Sequence, residues 1–291
     1  MFQALSNLYT LGELDQVKQK LLHTTSWKQH EFTAYGQSQI EKAWLSSIAL
    51  FGFSHLLEKQ FIEGEKHSAI FLKLANKNND ELSFSLIFEH NKDVIKRVNC
   101  IVDTQRLATF AQVSVDEILA ILPTPDPLFI SQFDHQLHPQ SYHASPNDLA
   151  ELPESMNEAI STWWSIWQAN KVSAFNELYH DDATALISGD NATGNSNTSA
   201  SQALRQFKLQ LVNRVTRSYS QLEQIALDES ANALALAWSI DGDFIDDGVT
   251  KRVRIPVQSF VTIKDNKIVD EKLNIDWLAL KKRFNLSNNI L

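Results

Sequence analysis

Two aspartates stand at equivalent places in this chain. Asp103 follows the apolar stretch VIKRVNCIV, and Asp276 follows KIVDEKLNI. A short amphipathic run comes after each. A carboxyl at such a place can do one of two things. Turned into an apolar cavity, it becomes a general acid or base, because desolvation raises its pKa. Turned along the chain, it caps the helix that follows, and Asp is among the best N-caps. The repetition favours the cap, since a structural task recurs where a single active site does not.

The tryptophans form the second group. Trp163, Trp164 and Trp167 share one predicted helix, and 163 and 167 lie on one face of it. With Trp238 on a predicted strand they suit the wall of a flat apolar pocket, where indoles give area and an N–H handle. They suit simple core filling equally well. Trp27 and Trp44 are the matching candidates in the first part of the chain.

Other clusters suggest less chemistry. Asp241, Asp243, Asp246 and Asp247 lie in DGDFIDDG, which lacks the residue order and closing Glu of a calcium loop. A solvated hairpin tip is expected there. His135, His138 and His143 fall around Pro139, which breaks any helix that would align them as ligands. The single cysteine, Cys100, allows neither an internal disulfide nor a cysteine-based zinc site. No glycine-rich nucleotide loop, metalloprotease or nucleophile-elbow motif occurs. No metal and no cofactor is therefore expected.

Composition narrows the partners. The 291 residues carry 26 Lys and Arg against 35 Asp and Glu, a formal charge of −9. Such a balance argues against nucleic acid, whose phosphates call for a basic excess. No apolar run of about 18 residues exists to span a membrane. No charged segment precedes an apolar stretch near the start, so a cytoplasmic location is expected.

The elements that must position these residues can be read from punctuation and period. Six of the seven prolines fall between Pro123 and Pro153. Each removes a backbone donor and disfavours helix before it. Residues 122–153 are read as a connector between a domain at 1–121 and a domain at 154–291. Leu128, Phe129, Ile130, Phe133, Leu137 and Tyr142 make that connector apolar enough to pack.

The two flanks read as copies of one plan. Ile95, Val102, Asp103 and Leu107 match Ile268, Ile275, Asp276 and Leu280 at an offset of 173. Leu21 and His23 match Leu178 and His180 at an offset of 157. Ser38 with Glu41, Ser155 with Glu158, and Ser199 with Gln202 have capping-box spacing and mark helix starts. Strands are expected at SAIFLKLA, ELSFSLIFE and VIKRVNCIV in copy one. In copy two they are expected at SYSQLEQIAL, ALALAWSIDGDF, KRVRIPVQSFVTI and KIVDEKLNI. Asn91-Lys92-Asp93 and Asp265-Asn266 supply hairpin turns. Each half reads as helix, helix, then a strand meander, an α+β plan with helices on one face of a sheet.

The second copy resembles a known superfamily. Its run WWSIWQANKVSAFNELYHDDATAL, then ASQALRQF, then FVTIKDNKIVDEKLNIDW is similar to SnoaL-like members of the nuclear transport factor 2-like superfamily. Leu178-Tyr179-His180-Asp181-Asp182-Ala183 and Asp265-Asn266-Lys267-Ile268 carry the likeness, across nearly all of 155–283. Gly12-Glu13-Leu14-Asp15, Gly36 and Ile95 carry it in copy one. The resemblance implies two tandem cone domains, each a curved antiparallel sheet wrapped around helices. It also implies that the two sheets pair as an internal pseudo-dimer.

The same resemblance implies where chemistry would sit. In ketosteroid isomerases the general base lies eight residues after the motif tyrosine, and here that residue is Ile187. The oxyanion-donating tyrosine lies sixteen before it, and here that residue is Trp163. The third role falls near Gln258 or Ser259. Isomerase chemistry by those positions is not expected in copy two. In copy one the base position falls at Gln29 or His30, and a histidine beside an apolar cavity can act as a base. A partly exposed His30 on a polar strand is the alternative.

Three functions follow. The first is binding of a small apolar or amphipathic molecule by Trp163, Trp167, Tyr179, Trp238 and Gln258, with Trp27 and Trp44 in copy one. The second is acid–base catalysis by His30, Asp103 or Asp276, as a lyase, isomerase or hydrolase. The third is a structural or protein-interaction module whose cavities are filled by its own side chains.

Overall fold

The structure is a computed structural model and describes residues 1–291 except 30–31, 52–53, 122–143, 170, 189–198, 289 and 291. The first half opens with α1 (Phe2–Leu11) and the single turn α2 (Asp15–Lys18). Then come β1 (Leu21–Gln29), β2 (Phe32–Tyr35) and α3 (Gly36–Phe51). Four strands follow: β3 (His55–Ile62), β4 (His67–Ala75), β5 (Glu81–Asn91) and β6 (Val94–Val102). Helices α4 (Thr104–Ala111) and α5 (Val115–Ile121) close the half.

The second half repeats the order. A short helix α6 (Pro146–Ala150) precedes α7 (Glu154–Ala169), a 3-10 turn at Val172–Ala174 and α8 (Phe175–Leu178). Strand β7 (Tyr179–Ile187) leads to α9 (Ala200–Arg214). The meander is β8 (Val215–Asp228), β9 (Ala233–Asp246), β10 (Val249–Lys264) and β11 (Lys267–Asn274), closed by α10 (Trp277–Phe284).

The strands form two sheets, ordered β2-β1-β6-β5-β4-β3 and β7-β11-β10-β9-β8. The meanders are antiparallel, as hairpin connections require. One pair in each sheet is parallel instead: β1 with β6, and β7 with β11. The reason is topological. A strand formed before the long helix, β1 or β7, lies beside the last strand of its half, which calls for a crossover rather than a hairpin. Leu21 lies opposite Ile95 and Tyr179 opposite Ile268, so the duplication extends to the parallel pairing, with a register that differs by one residue from the Leu21–Leu178 match.

Local chemistry explains the boundaries. Ser199 caps α9 through the Gln202 N–H at 3.4 Å, as its spacing predicted. Ser38 and Ser155 do not cap, because α3 and α7 begin earlier, at Gly36 and Glu154. Gly36 has φ +69°, and a Cβ there would lie 2.7 Å from the His23 carbonyl oxygen. Only glycine lets α3 turn this close to β1. Asp265 and Asn266 both have positive φ, the geometry of the tight turn that joins β10 to β11.

Strand β9 buries both faces over most of its length. On β9, Leu234, Leu236 and Trp238 face the helices of their own half, and Ala233, Ala235 and Ala237 face the other sheet. Between the sheets a third core joins Ile62, Ala69, Phe71 and Ile87 to Ala226, the three β9 alanines and Phe260. The small residues let Phe71 and Phe260 approach, with ring centroids 6.0 Å apart. Gln258 donates to the Asn99 carbonyl at 2.8 Å, and Gln60 donates to Thr262 at 3.3 Å. The two halves thus pair through their sheets. No helix among the described residues is long and apolar enough to cross a membrane.

Candidate functional site

Helix α7 brings one apolar stripe to the core of the second half. Met156, Ala159, Ile160, Trp163, Trp164, Ile166 and Trp167 are buried along it. The short α8 then buries Phe175 and Leu178 and delivers Tyr179 as the first residue of β7.

Strand β11 supplies the group that meets them. Strict alternation from Ile268 would turn Asp270 and Lys272 inward. Instead the register of β11 against β7 shifts between Ile268 and Asp270. Its register against β10 shifts between Thr262 and Ile263. After such a bulge the side-chain parity flips. Glu271 therefore shares the inner face with Ile268 and Leu273.

Glu271 has no surface exposed to water. Trp163 Nε1 donates to its Oε1 at 3.1 Å, and the Tyr179 hydroxyl donates to its Oε2 in a short bond. Burial pushes the Glu271 carboxyl up to about 7, against the pull of these two donors, and the nearby Asp270 adds to the rise. Desolvation dominates because no cation stands among these contacts to offset it. Burial and the Glu271 charge hold the Tyr179 hydroxyl well above its ordinary range. Of the trio, Glu271 is the group poised to exchange a proton, in a site closed to the surface.

Three further indoles pack against Trp163. Trp238 lies 5.5 Å from Trp163, 6.2 Å from Trp164 and 4.9 Å from Trp167, centroid to centroid. Phe175 stacks on Tyr179 at 6.0 Å, and Phe207 bridges Trp167 to Trp277. Trp238 Nε1 donates to Ser259 Oγ at 3.1 Å. The Nε1 groups of Trp164, Trp167 and Trp277 are buried with no acceptor among the described residues.

Lys208 reaches the same core from α9. Its ammonium donates to the Trp167 carbonyl at 2.9 Å, which also accepts from Ser220 Oγ at 3.0 Å. That carbonyl belongs to the last turn of α7, where backbone acceptors lack partners and a cation is favourable. Burial brings the Lys208 ammonium down to about 8.

The sequence-derived candidates divide among several places. Trp163, Trp167, Tyr179 and Trp238 meet in this core. Trp27 and Trp44 meet in the core of the first half, edge to face at 4.5 Å. There Trp27 Nε1 donates to Gln29 at 3.4 Å, and Tyr9 lies between Gln29 and Cys100. Gln258 lies apart from these groups. Its neighbours Val257 and Ser259 face the tryptophans, so alternation turns Gln258 to the opposite sheet. His30 lies outside the described residues, as do His135, His138 and His143.

The two aspartates are engaged in capping. Asp103 accepts the Arg106 N–H at 3.0 Å, and Asp276 accepts the Ala279 N–H at 3.2 Å. Asp276 also accepts from the backbone N–H and the hydroxyl of Thr104, so it serves the starts of both α10 and α4. Both sit where the halves meet, with their carboxyl oxygens turned to helix starts. Catalysis by either runs against this geometry. The acidic hairpin serves the chain end: Asp246 accepts from Lys251 and from the Ser287 and Asn288 N–H groups. No cluster among the described residues could hold a metal ion.

Glu271 escaped the sequence reading, although a signal existed. At the repeat offset it stands opposite Val98, so one copy places a carboxyl where the other places an apolar side chain.

Comparison with known proteins adds the fold context. No protein-family model matches the sequence, and no curated protein is significantly similar to it. About half of the chain resembles SnoaL-like and ketosteroid isomerase-like folds. A protein named as a SnoaL-like polyketide cyclase, from Jannaschia Sp. CCS1, is 14% identical over 46% of this chain and 95% of its own, with a TM-score of 0.35. A Catenulispora acidiphila protein with a ketosteroid isomerase-like fold, solved with trimethylamine, is 13% identical over 45% and 95%, with a TM-score of 0.37. TsrD from Streptomyces laurentii is 11% identical over 46% and 97%, also at 0.37.

Proposed function

We propose that the second half is a SnoaL-like cone domain that binds a small apolar or amphipathic molecule among Trp163, Trp167, Trp238 and Tyr179. The polar inventory of its core supports this reading. Trp164, Trp167 and Trp277 bury N–H groups without acceptors. Each such donor costs roughly 1–3 kcal/mol when left unpaired in a dry core. Glu271 adds a carboxyl in full burial. A core built for packing alone gains nothing from these groups, because Leu or Phe would fill the space at less cost. A guest with an apolar body and polar atoms answers both features.

One observation favours a different function. Trp163 and Glu271 have no exposed surface, so no water-sized space adjoins them. That is the arrangement of a filled core in a structural or interaction module. Native mass spectrometry separates the two readings. Binding predicts a defined added mass on the purified chain that leaves on denaturation, and that Trp238→Ala abolishes. A bare chain mass, unchanged after incubation with indane as an apolar probe, supports the filled core and overturns the binding reading.

A further inference from the structure

Glu271 and Tyr179 form a donor that protonation switches. While Glu271 is a carboxylate, the Tyr179 O–H points at its Oε2 and Trp163 Nε1 points at its Oε1. The tyrosine then has no proton to offer a guest. When Glu271 takes a proton from solvent, its own O–H can donate to the Tyr179 oxygen. The tyrosine O–H is thereby freed to turn elsewhere, because a phenol both donates and accepts. Trp163 still donates to the other Glu271 oxygen. One proton has been bound, no bond between heavy atoms has changed, and the core presents a new donor.

We propose that this pair reads an oxygen acceptor on the bound molecule, a carbonyl or ether, with Tyr179 as the donor and uptake of one proton by Glu271 as the condition. The inference rests on the binding reading above and adds the chemistry of the guest. The geometry around the pair leaves Glu271 as the switching group. Its strand neighbours are Ala185 on β7 and Val261 on β10, neither charged. Asp270 engages Thr184 and Lys272. Lys208, from α9, is engaged in a hydrogen bond that it donates to the Trp167 carbonyl. The buried indole donors of Trp164, Trp167 and Trp277 also call for acceptors rather than donors on a guest.

A matched pair of probes tests the proposal on the intact chain. Indane and indan-1-one share a shape, and only the second carries an acceptor. Tryptophan emission follows both titrations, since the indoles line the site. Indan-1-one is expected to bind about tenfold tighter than indane at pH 6, the effect of one hydrogen bond in a dry site. That advantage is lost between about pH 7 and about pH 9, where the two probes come to bind alike, because the linked proton can remove no more than the one hydrogen bond it permits. Indane shows no such slope.

Two variants sharpen the outcome. Glu271→Gln carries a permanent NH₂ in place of the carboxylic O–H, so it keeps the advantage at every pH. Tyr179→Phe loses it at every pH. Equal affinity of the two probes, or a flat pH profile in the parent chain, overturns the inference and leaves the binding reading standing. Failure of both probes to bind overturns the binding reading and this inference with it.

Discussion

Glu271 and Val98 occupy one place in two copies of the same fold. Each stands three residues past an isoleucine, Ile268 or Ile95, that faces Tyr179 or Leu21 in the parallel strand pair. A register shift near that isoleucine turns both side chains into their cores. The fold itself therefore does not require a carboxyl at this place. The second half has one, together with the O–H and N–H that hold it, and the first half has a methyl-bearing side chain 3% exposed.

The Glu271 carboxyl should leave a signature in stability against pH. Its pKa is raised in the folded chain, from about 4.5 to about 7. The folded state therefore binds the proton more tightly than the unfolded state does. The stabilisation is complete below about pH 4.5 and is lost as pH rises toward 7. Relative to Glu271→Gln, the parent chain should lose roughly 3 kcal/mol across that window and then level off. Urea unfolding of both chains at several pH values measures the difference. A parent curve parallel to that of the variant would show that the carboxyl is not desolvated.

The two capping aspartates should differ in weight. Asp103 caps α4 through Arg106, whereas Asp276 caps α10 and also binds Thr104 at the start of α4. Asp103→Ala should cost about 1 kcal/mol, the ordinary value of an N-cap. Asp276→Ala should cost about 2–4 kcal/mol, since it leaves donors of both halves unpaired. Thermal unfolding of the two variants side by side ranks them, and equal losses would contradict the double cap.

The sheet-to-sheet seam depends on small residues. Ala235 has no exposed surface and lies in the core shared by both halves. Ala235→Leu should cost about 1–3 kcal/mol through overpacking. The first and second halves should then melt as separate transitions in calorimetry. A single transition at the parent temperature would mean that the seam tolerates the added volume.

Asp246 should hold the chain end. Lys251 and the Ser287 and Asn288 N–H groups keep its carboxyl well below the usual range. That anchoring is present above the ordinary aspartate pKa and fades as pH falls through the lowered one. Asp246→Ala should speed amide exchange from residue 285 onward while the β9–β10 ladder stays protected. Unchanged exchange at Ser287 would contradict the anchor.

Much of this architecture was written in the sequence, because the strands of the meander carry strong local signals. VIKRVNCIV is β6 residue for residue, and the Asp265-Asn266 turn lies between β10 and β11. Strands β1 and β7 are harder to read, since LLHTTSWKQ and YHDDATALI mix polar residues into both faces and pair across the whole half. Burial of both faces in β9 hides alternation as well, because alanine on one side and leucine on the other look equally apolar. The site was legible in part. Helical spacing announced that Trp163 and Trp167 share a face, but the inward turn of Glu271 depends on a bulge, and a bulge leaves no composition to read. The facing of Gln258 toward the other sheet was hidden for the same reason: it follows from register, which sequence pattern fixes only to within one residue.

A crystal structure of the chain soaked with indane tests the central claim most directly. The account predicts indane between Trp163, Trp167 and Trp238, with the indoles displaced from their mutual contacts and Tyr179 at its edge. A soaked crystal in which these indoles keep their centroid distances of 4.9–6.1 Å, with no molecule among them, would contradict it. The core of the second half would then be packing, and the function of the chain would lie on its surface.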